Sequence, residues 1–396
     1  MNSPEGDCSP APATAPAGVR TLRQVRSGTL KFAGSALTSH VEHDVVEYAE
    51  RPAGSAPTRH RVVGSRDALR GAGRLADECA DAVAAASRTG SRERVALLRE
   101  LAALGPGVHG RVEDVYGATA TVDGHERTAL GTMVRRNVIV TTVRDGVRRT
   151  RAACGAPGDL DVRELVVPGE PLPAHRGPLP TQVVLEPLAL AELLAEYASV
   201  GLAVQDPESA PEFDRRWAGR QVAAAGVDIT DTPAALGGWT LDIEGTPSAP
   251  LPLVRDGRVT GYATDHRGAA ALGRPSTGRA ARSVDGLRAY PAALTLRCPP
   301  AAEPAGPYLR VERVQYISVV SARTGTVTGS TRDYCAVVED GVPRAAVGTV
   351  RFTVAVPDLL RRITGGLGPA RTVPVTWGGC VVRCPAVLCA DLRLVP

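Results

Sequence analysis

Apolar and polar residues alternate through residues 19–50, imperfectly, as in His40-Val41-Glu42-His43-Asp44-Val45. A period of two predicts extended strand. From Ser65 the period changes. Leu69, Ala72, Leu75, Cys79, Ala82, Val83 and Ala86 recur at steps of three and four, which predicts an amphipathic helix closed by Gly90. A second helix is expected from Ser91, with Val95, Leu98 and Leu101 on one face and a stop at Gly105-Pro106. Residues 109–155 return to strand patterning. Asp123-Gly124 and Asp145-Gly146 read as hairpin turns on either side of the run from Val134 to Val140. Strands, a helix pair and then a meander, with no crossover helices between the strands, predict an α+β fold.

Pro157, Pro168, Pro171, Pro173, Pro178 and Pro180 crowd residues 156–180, the densest breaker signal in the chain. A domain boundary is expected there, with residues 166–180 as the linker between an N-terminal α+β domain (19–165) and a C-terminal domain (181–396). Gln182–Glu186 reads as a short strand, and Pro187 opens a helix at the position where proline fits best. Leu190, Leu194, Ala198 and Gly201 form its apolar stripe. Strand-and-turn pattern follows almost to the end, with hairpins at Asp256-Gly257 and Asp340-Gly341. The C-terminal domain is therefore expected to be mainly antiparallel β, carrying one prominent helix.

Composition narrows the function classes. The 396 residues carry a net charge of +4, and Lys31 is the only lysine among 46 basic residues. With 42 glycines and 32 prolines, the arginine excess reads as a GC-rich coding bias. So small a charge on so long a chain predicts no nucleic-acid partner. No run approaches the roughly 18 apolar residues of a membrane span, so no membrane association is expected. Residues 1–18 read as a disordered tail and not as a signal peptide. Eight cysteines without a CxxC pair point to reduced thiols and a cytoplasmic protein.

Candidate chemistry is sparse. His40 and His43 are spaced HxxH, but on a strand they point to opposite faces, so exposed histidines are the better reading than a metal site. Cys380, Cys384 and Cys389 lack the knuckle spacing of structural zinc, and the last two fit buried small hydrophobes better. Of seven histidines, only His266 follows the proline-rich stretch. Nucleophile-elbow, phosphate-loop, dinucleotide and HExxH motifs are absent from the sequence. The most specific segment runs from Asp228 to Gly278 and contains Asp242-Ile243-Glu244-Gly245-Thr246-Pro247. In an extended strand Asp242 and Glu244 would face the same side and act together. In a turn they would instead accept backbone N–H bonds, which the pattern favours.

This segment resembles the TldD/PmbA (TldD/TldE) metallopeptidase family, whose C-terminal domain carries a D-x-E-G-T-P stretch. The likeness continues through Asp256-Gly257-Arg258-Val259-Thr260-Gly261-Tyr262, Asp265, Gly273 and Ser276-Thr277-Gly278. Leu30–Thr38 also resembles the family's N-terminal strand. The resemblance implies an α+β N-terminal domain and a mainly β C-terminal one. In TldD-type subunits the helix matching 187–203 carries HExxxH, and a distant cysteine completes a zinc site. Here the corresponding positions are Ala195, Glu196 and Val200, with Cys380 at the possible cysteine position. A zinc peptidase needs three protein ligands and an open site. The resemblance thus implies a TldE/PmbA-type subunit with no metal of its own, zinc residing in a TldD-type catalytic partner. Asp242, Glu244, Gly245 and Thr246 are then substrate-binding or structural candidates, and Glu196 a helix carboxylate and not a base.

The leading expectation is a non-catalytic subunit of a heteromeric peptidase that cuts extended peptides or peptide-like amides, as in natural-product biosynthesis. The alternatives are a stand-alone metal-independent hydrolase using Glu196, Asp242 or Glu244, and a peptide-binding carrier.

Overall fold

The computed structural model describes residues 18–34, 36–52, 58–63, 73–283, 286–376 and 379–392. The expected tail, but for Gly18, and the helix start at Ser65 lie outside the described residues. The period-two segment forms β1 (Val19–Ala33) and β2 (Ala36–Arg51), followed by β3 (Arg59–Val63). Both helical runs are present, and they join through Gly90 into one element, α1 (Gly73–Ala102). A mid-helix glycine is only about 1 kcal/mol poorer than alanine, so helical turns on both sides carry it. A meander of β4 (Val108–Val122), β5 (Thr128–Arg144) and β6 (Val147–Gly155) follows. Asp145 and Gly146 both adopt positive φ in the last turn, as a two-residue loop of matching twist requires. The six strands pair antiparallel in the order β3-β2-β1-β4-β5-β6.

Strand alternation gives this sheet two buried faces. Leu22, Val112, Tyr116, Ala118, Ala120 and Val138 meet Leu75, Cys79, Val83, Leu97 and Leu101 of α1. One charged row crosses that apolar layer. Gly28, Asp114 and Arg136 are register partners on three neighbouring strands. Asp114 is fully buried, and its carboxylate accepts from Arg136 Nε at 2.6 Å and Nη2 at 2.9 Å. Arg94 of α1 lies over Gly28, donates to its carbonyl at 3.2 Å and stands 3.7 Å from Asp114. A Cβ at residue 28 would strike that guanidinium, so glycine is what admits the arginine.

After an irregular stretch come β7 (Val183–Leu185), α2 (Pro187–Gly201), α3 (Ala210–Trp217) and β8 (Asp228–Asp231). Next are β9 (Leu251–Arg255), β10 (Arg258–Val259), α4 (His266–Ala271) and the separate hairpin of β11 (Ala280–Ser283) and β12 (Gly286–Ala289). The chain continues through β13 (Ala293–Arg297), β14 (Tyr308–Ser321), β15 (Thr326–Glu339) and β16 (Val342–Ala346). It ends with β17 (Arg351–Ala355), α5 (Val356–Arg361), β18 (Ile363–Pro374) and β19 (Val381–Cys389).

The second sheet runs β10-β9-β8-β13-β19-β7-β14-β15-β16, with β17 on β15 and β18 on β19. It is antiparallel apart from the β13/β19 and β7/β14 pairs. The architecture is thus α+β, mostly strands. Three short helices add to the single one expected, each too brief for its periodicity to register in sequence. The long helix α2 is buried on nearly every side, and Tyr197 packs edge-on against Trp217 at 5.8 Å. Among the described residues, no helix is long and apolar enough to cross a membrane.

The two sheets are tied by charge. Arg149 and Arg151 of β6 converge on the buried Glu312 of β14, Arg151 at 2.8 Å. Thr150 donates to Asp333 at 2.6 Å.

Removing Asp114 takes from Arg136 its two-pronged carboxylate, while Arg94 keeps Glu42 at 3.1 Å. Asp114→Ala is expected to cost about 3–5 kcal/mol, because Arg136 is buried where it loses that pair. Urea denaturation of the full chain measures it, and a loss below about 1 kcal/mol contradicts this account of the row.

Candidate functional site: an arginine-rich cavity between the sheets

The face of the first sheet turned away from α1 does not meet apolar cover alone. A cavity of about 490 Å³ opens over it. Alternate positions on three strands supply Arg23 and Ser27, Arg111 and Glu113, and Arg135 and Asn137. The second half of the chain contributes Trp239, Asp242, Tyr290, Val375, Thr376 and Cys380.

The loop after β8 forms one wall. Gly237 takes a left-handed φ of 66° and packs against the Val134 carbonyl, where a side chain would collide. That brings Trp239 onto Gly117 of β4, and the Arg23 guanidinium stacks over the indole at 4.1 Å. Arg23 also donates to Thr119 Oγ1 at 3.0 Å and the Leu241 carbonyl at 3.1 Å. Burial lowers its pKa to about 10.

Asp242 and Glu244 do not lie on an extended strand, and the structure separates them. The segment turns at Gly245, whose φ is 79°. Asp242 Oδ1 accepts the N–H of Glu244 at 3.0 Å and of Thr246 at 2.8 Å, while Oδ2 accepts the Ala280 N–H at 3.0 Å. Burial, with Glu244 nearby, pushes its carboxyl up to about 6. Glu244 points elsewhere, accepting from the Thr58 hydroxyl and from the His266 N–H at 2.7 Å. Gly245 sits against Thr21 of β1 and Thr121 of β4. Thr277 Oγ1 accepts the Thr264 N–H at 2.8 Å, and Ser248 donates to the Gly278 carbonyl at 2.7 Å. The D-x-E-G-T-P and S-T-G stretches therefore form one hydrogen-bonded clasp against the first sheet. Its chemistry is positioning.

On α2, Ala195 is buried, while Glu196 and Val200 are half-buried. Burial raises the Glu196 carboxyl, and Glu192 one turn earlier raises it further. Glu192 was not singled out from the sequence. It is only 5 % exposed and accepts the Thr376 N–H at 2.8 Å. The Tyr290 hydroxyl is pushed well above its usual range by burial, then by Cys380 and Glu196, which places all three groups in one neighbourhood. Arg111, Arg135 and Asn137 also escaped the sequence reading. Their signal was polar residues at alternate positions of strands whose other face is core.

Residues 179–394 match the family model described as the PmbA/TldA metallopeptidase C-terminal domain. The chain belongs to the TldD/PmbA family.

Three solved structures share the fold of this TldD/PmbA chain. TldE from Thermococcus kodakarensis superposes with a TM-score of 0.73 at 13 % identity, covering 96 % of each chain. A protein from Thermotoga maritima, described as a candidate modulator of a DNA gyrase, gives 0.64 at 16 % identity over 95 % of each. A protein of like description from Bacteroides thetaiotaomicron gives 0.59 at 12 % identity, over 94 % of this chain and 93 % of its own. No curated protein matches the sequence.

At the positions that the resemblance sets against the family's HExxxH and distant cysteine, the side chains do not fit a metal. The Ala195 and Val200 side chains carry no lone pair. The Cys380 thiol is 1 % exposed, directs its hydrogen toward the carbonyls of Pro291 and Val381, and is held protonated by burial. Among the described residues, no three His, Cys, Asp or Glu side chains are grouped to hold a metal ion. His40 and His43 are both exposed. Cys384 and Cys389 are buried free thiols.

The Asp242 turn has a pH signature. Folding raises this carboxyl from 3.8 to about 6, so the native state binds its proton more tightly than the unfolded chain. Its contribution is fullest below the unfolded value and declines as pH rises through about 6. Asp242→Asn removes that decline. Urea denaturation at pH 4 and pH 6.5 should show the wild-type chain's advantage over the variant shrinking toward higher pH. An advantage that grows with pH contradicts the assignment.

Proposed function

We propose that this chain is the metal-free, TldE-like subunit of a TldD/TldE-type peptidase of the cytoplasm. A TldD-type partner supplies zinc and the chemistry. This subunit contributes a wall of the chamber in which an extended peptide, or a peptide-like amide, is held. The observation that carries the reading is the donor set on α2. Where a zinc helix of the family needs two imidazoles, Ala195 and Val200 present hydrocarbon on either side of Glu196.

Two further features support it. The cavity combines apolar surface from Trp239 and Val375 with convergent polar groups, the usual make-up of a ligand site. The second half is also strand-rich, and strand addition to such a wall would give sequence-tolerant main-chain hydrogen bonds. A substrate made and trimmed in a natural-product pathway fits a chamber that holds its substrate mainly by the backbone.

Co-expression with its TldD-type neighbour should give a complex that survives size-exclusion chromatography and cleaves an unstructured peptide. Neither effect is expected from this chain alone. In the complex, Glu196→Gln should leave peptide turnover within about twofold, since a carboxylate off the reacting atoms contributes little to the barrier. Turnover by the isolated chain, abolished by Glu196→Gln, would instead establish a metal-independent hydrolase.

A further inference from the structure

Five arginines line the cavity, against three carboxylates. The carboxylates are engaged. Asp242 holds its three backbone N–H groups, and Glu47 faces His60 at 3.6 Å and Arg282 at 3.7 Å. Glu113 accepts from Asn137 Nδ2 at 3.1 Å. Arg279 is committed to the buried Asp231, and Arg23 to Trp239 and its two oxygen acceptors.

Arg111 and Arg135 remain. Arg135 is 6 % exposed, and among the described residues its one hydrogen bond goes from Nη2 to the Gly379 carbonyl at 3.0 Å. Its Nε is buried without a hydrogen-bond partner, as is that of Arg111. Among the described residues neither forms an ion pair; Glu113 stands in the row with Asn137, and the Glu192 carboxylate acts on Arg111 from further off. Between them on the same sheet face stands Asn137, whose Oδ1 is likewise buried and unpartnered. Buried Arg135 and half-buried Arg111 each keep an unpartnered Nε on either side of the idle Asn137 oxygen, so the cavity offers a ligand two guanidinium donors and an acceptor. Guanidinium matches a carboxylate in plane and can donate twice to it. An amide oxygen beside it matches a peptide N–H.

We propose that this cavity recognises a carboxylate of the peptide, at its C-terminus or on an acidic side chain, through Arg111 and Arg135, with Asn137 accepting a neighbouring N–H. The inference rests on the peptide reading above and specifies which peptides the chamber takes. It makes the subunit a selector for anionic substrates as well as a wall.

Calorimetric titration of the full chain with three probes tests it: acetyl-pentaalanine acid, its C-terminal amide, and an amidated acetyl-Ala-Ala-Glu-Ala-Ala. The acid or the Glu peptide should bind at least about tenfold tighter than the neutral amide, one charge-assisted pair being worth that much. Which of the two binds identifies the source of the carboxylate. Half-buried Arg111 is the safer site for a variant, and Arg111→Gln should cut the preference to about threefold or less with an unchanged melting temperature. Arg135→Lys keeps the charge but loses the fork, and should weaken the same probe. Equal affinity for all three probes overturns the carboxylate inference and leaves the peptide reading standing. No binding of any probe counts against both. A preference that survives both substitutions also overturns it.

Discussion

A sheet buried on both faces governs this molecule. On β4 and β5 every residue near the middle must satisfy either α1 or the second half of the chain, and strand alternation assigns them in turn. The α1 side is apolar apart from the Gly28–Asp114–Arg136 row and the Gln24, Arg26 and Asp44 cluster that reaches Ser87 of α1. The opposite side places Arg111, Glu113, Arg135 and Asn137 at a cavity. Because the same strands carry both sets, the cavity floor inherits the rigidity of the core beneath it. Residues fixed by packing hold a ligand's partners with little loss of side-chain entropy on binding.

The clasp depends on that floor. Gly245 and Trp239 are seated against β1 and β4, with Arg23 of β1 stacked on the indole, so the most recognisable stretch of the sequence marks where the second half grips the first. The motif is best understood as architecture. Asp242 spends its lone pairs on three backbone N–H groups, and Glu244 spends its own on Thr58 and His266. Carboxylates so engaged are poorly placed for acid–base work.

Much of the fold was legible in local pattern. The hairpin at Asp145-Gly146, the proline-opened α2 and the long alternating strands all declare themselves within ten residues, where local sterics dominate. Gly90 misplaces a helix end, because tertiary packing of Val83 and Leu97 onto one sheet outweighs a single weak position. Asp242 and Glu244 take the turn that the local pattern favours over a strand, closed by one left-handed glycine. The site was less legible. The absence of imidazole at 195 and 200 is visible from the family likeness alone. The cavity is not, since Arg23, Arg111, Arg135, Tyr290 and Cys380 are far apart in sequence and meet only through sheet register and the second half's packing.

These features join into one picture: a chain with the fold of the TldD/PmbA family, hydrocarbon side chains at 195 and 200, where the resemblance sets the zinc ligands, and an arginine-lined cavity between its sheets. The most direct test of that picture is the zinc content of the purified full-length chain, measured by atomic emission after equilibration with excess zinc and gel filtration. The account predicts far less than one zinc per chain, with no change on Cys380→Ser. One tightly held zinc per chain, lost on Cys380→Ser, would contradict it.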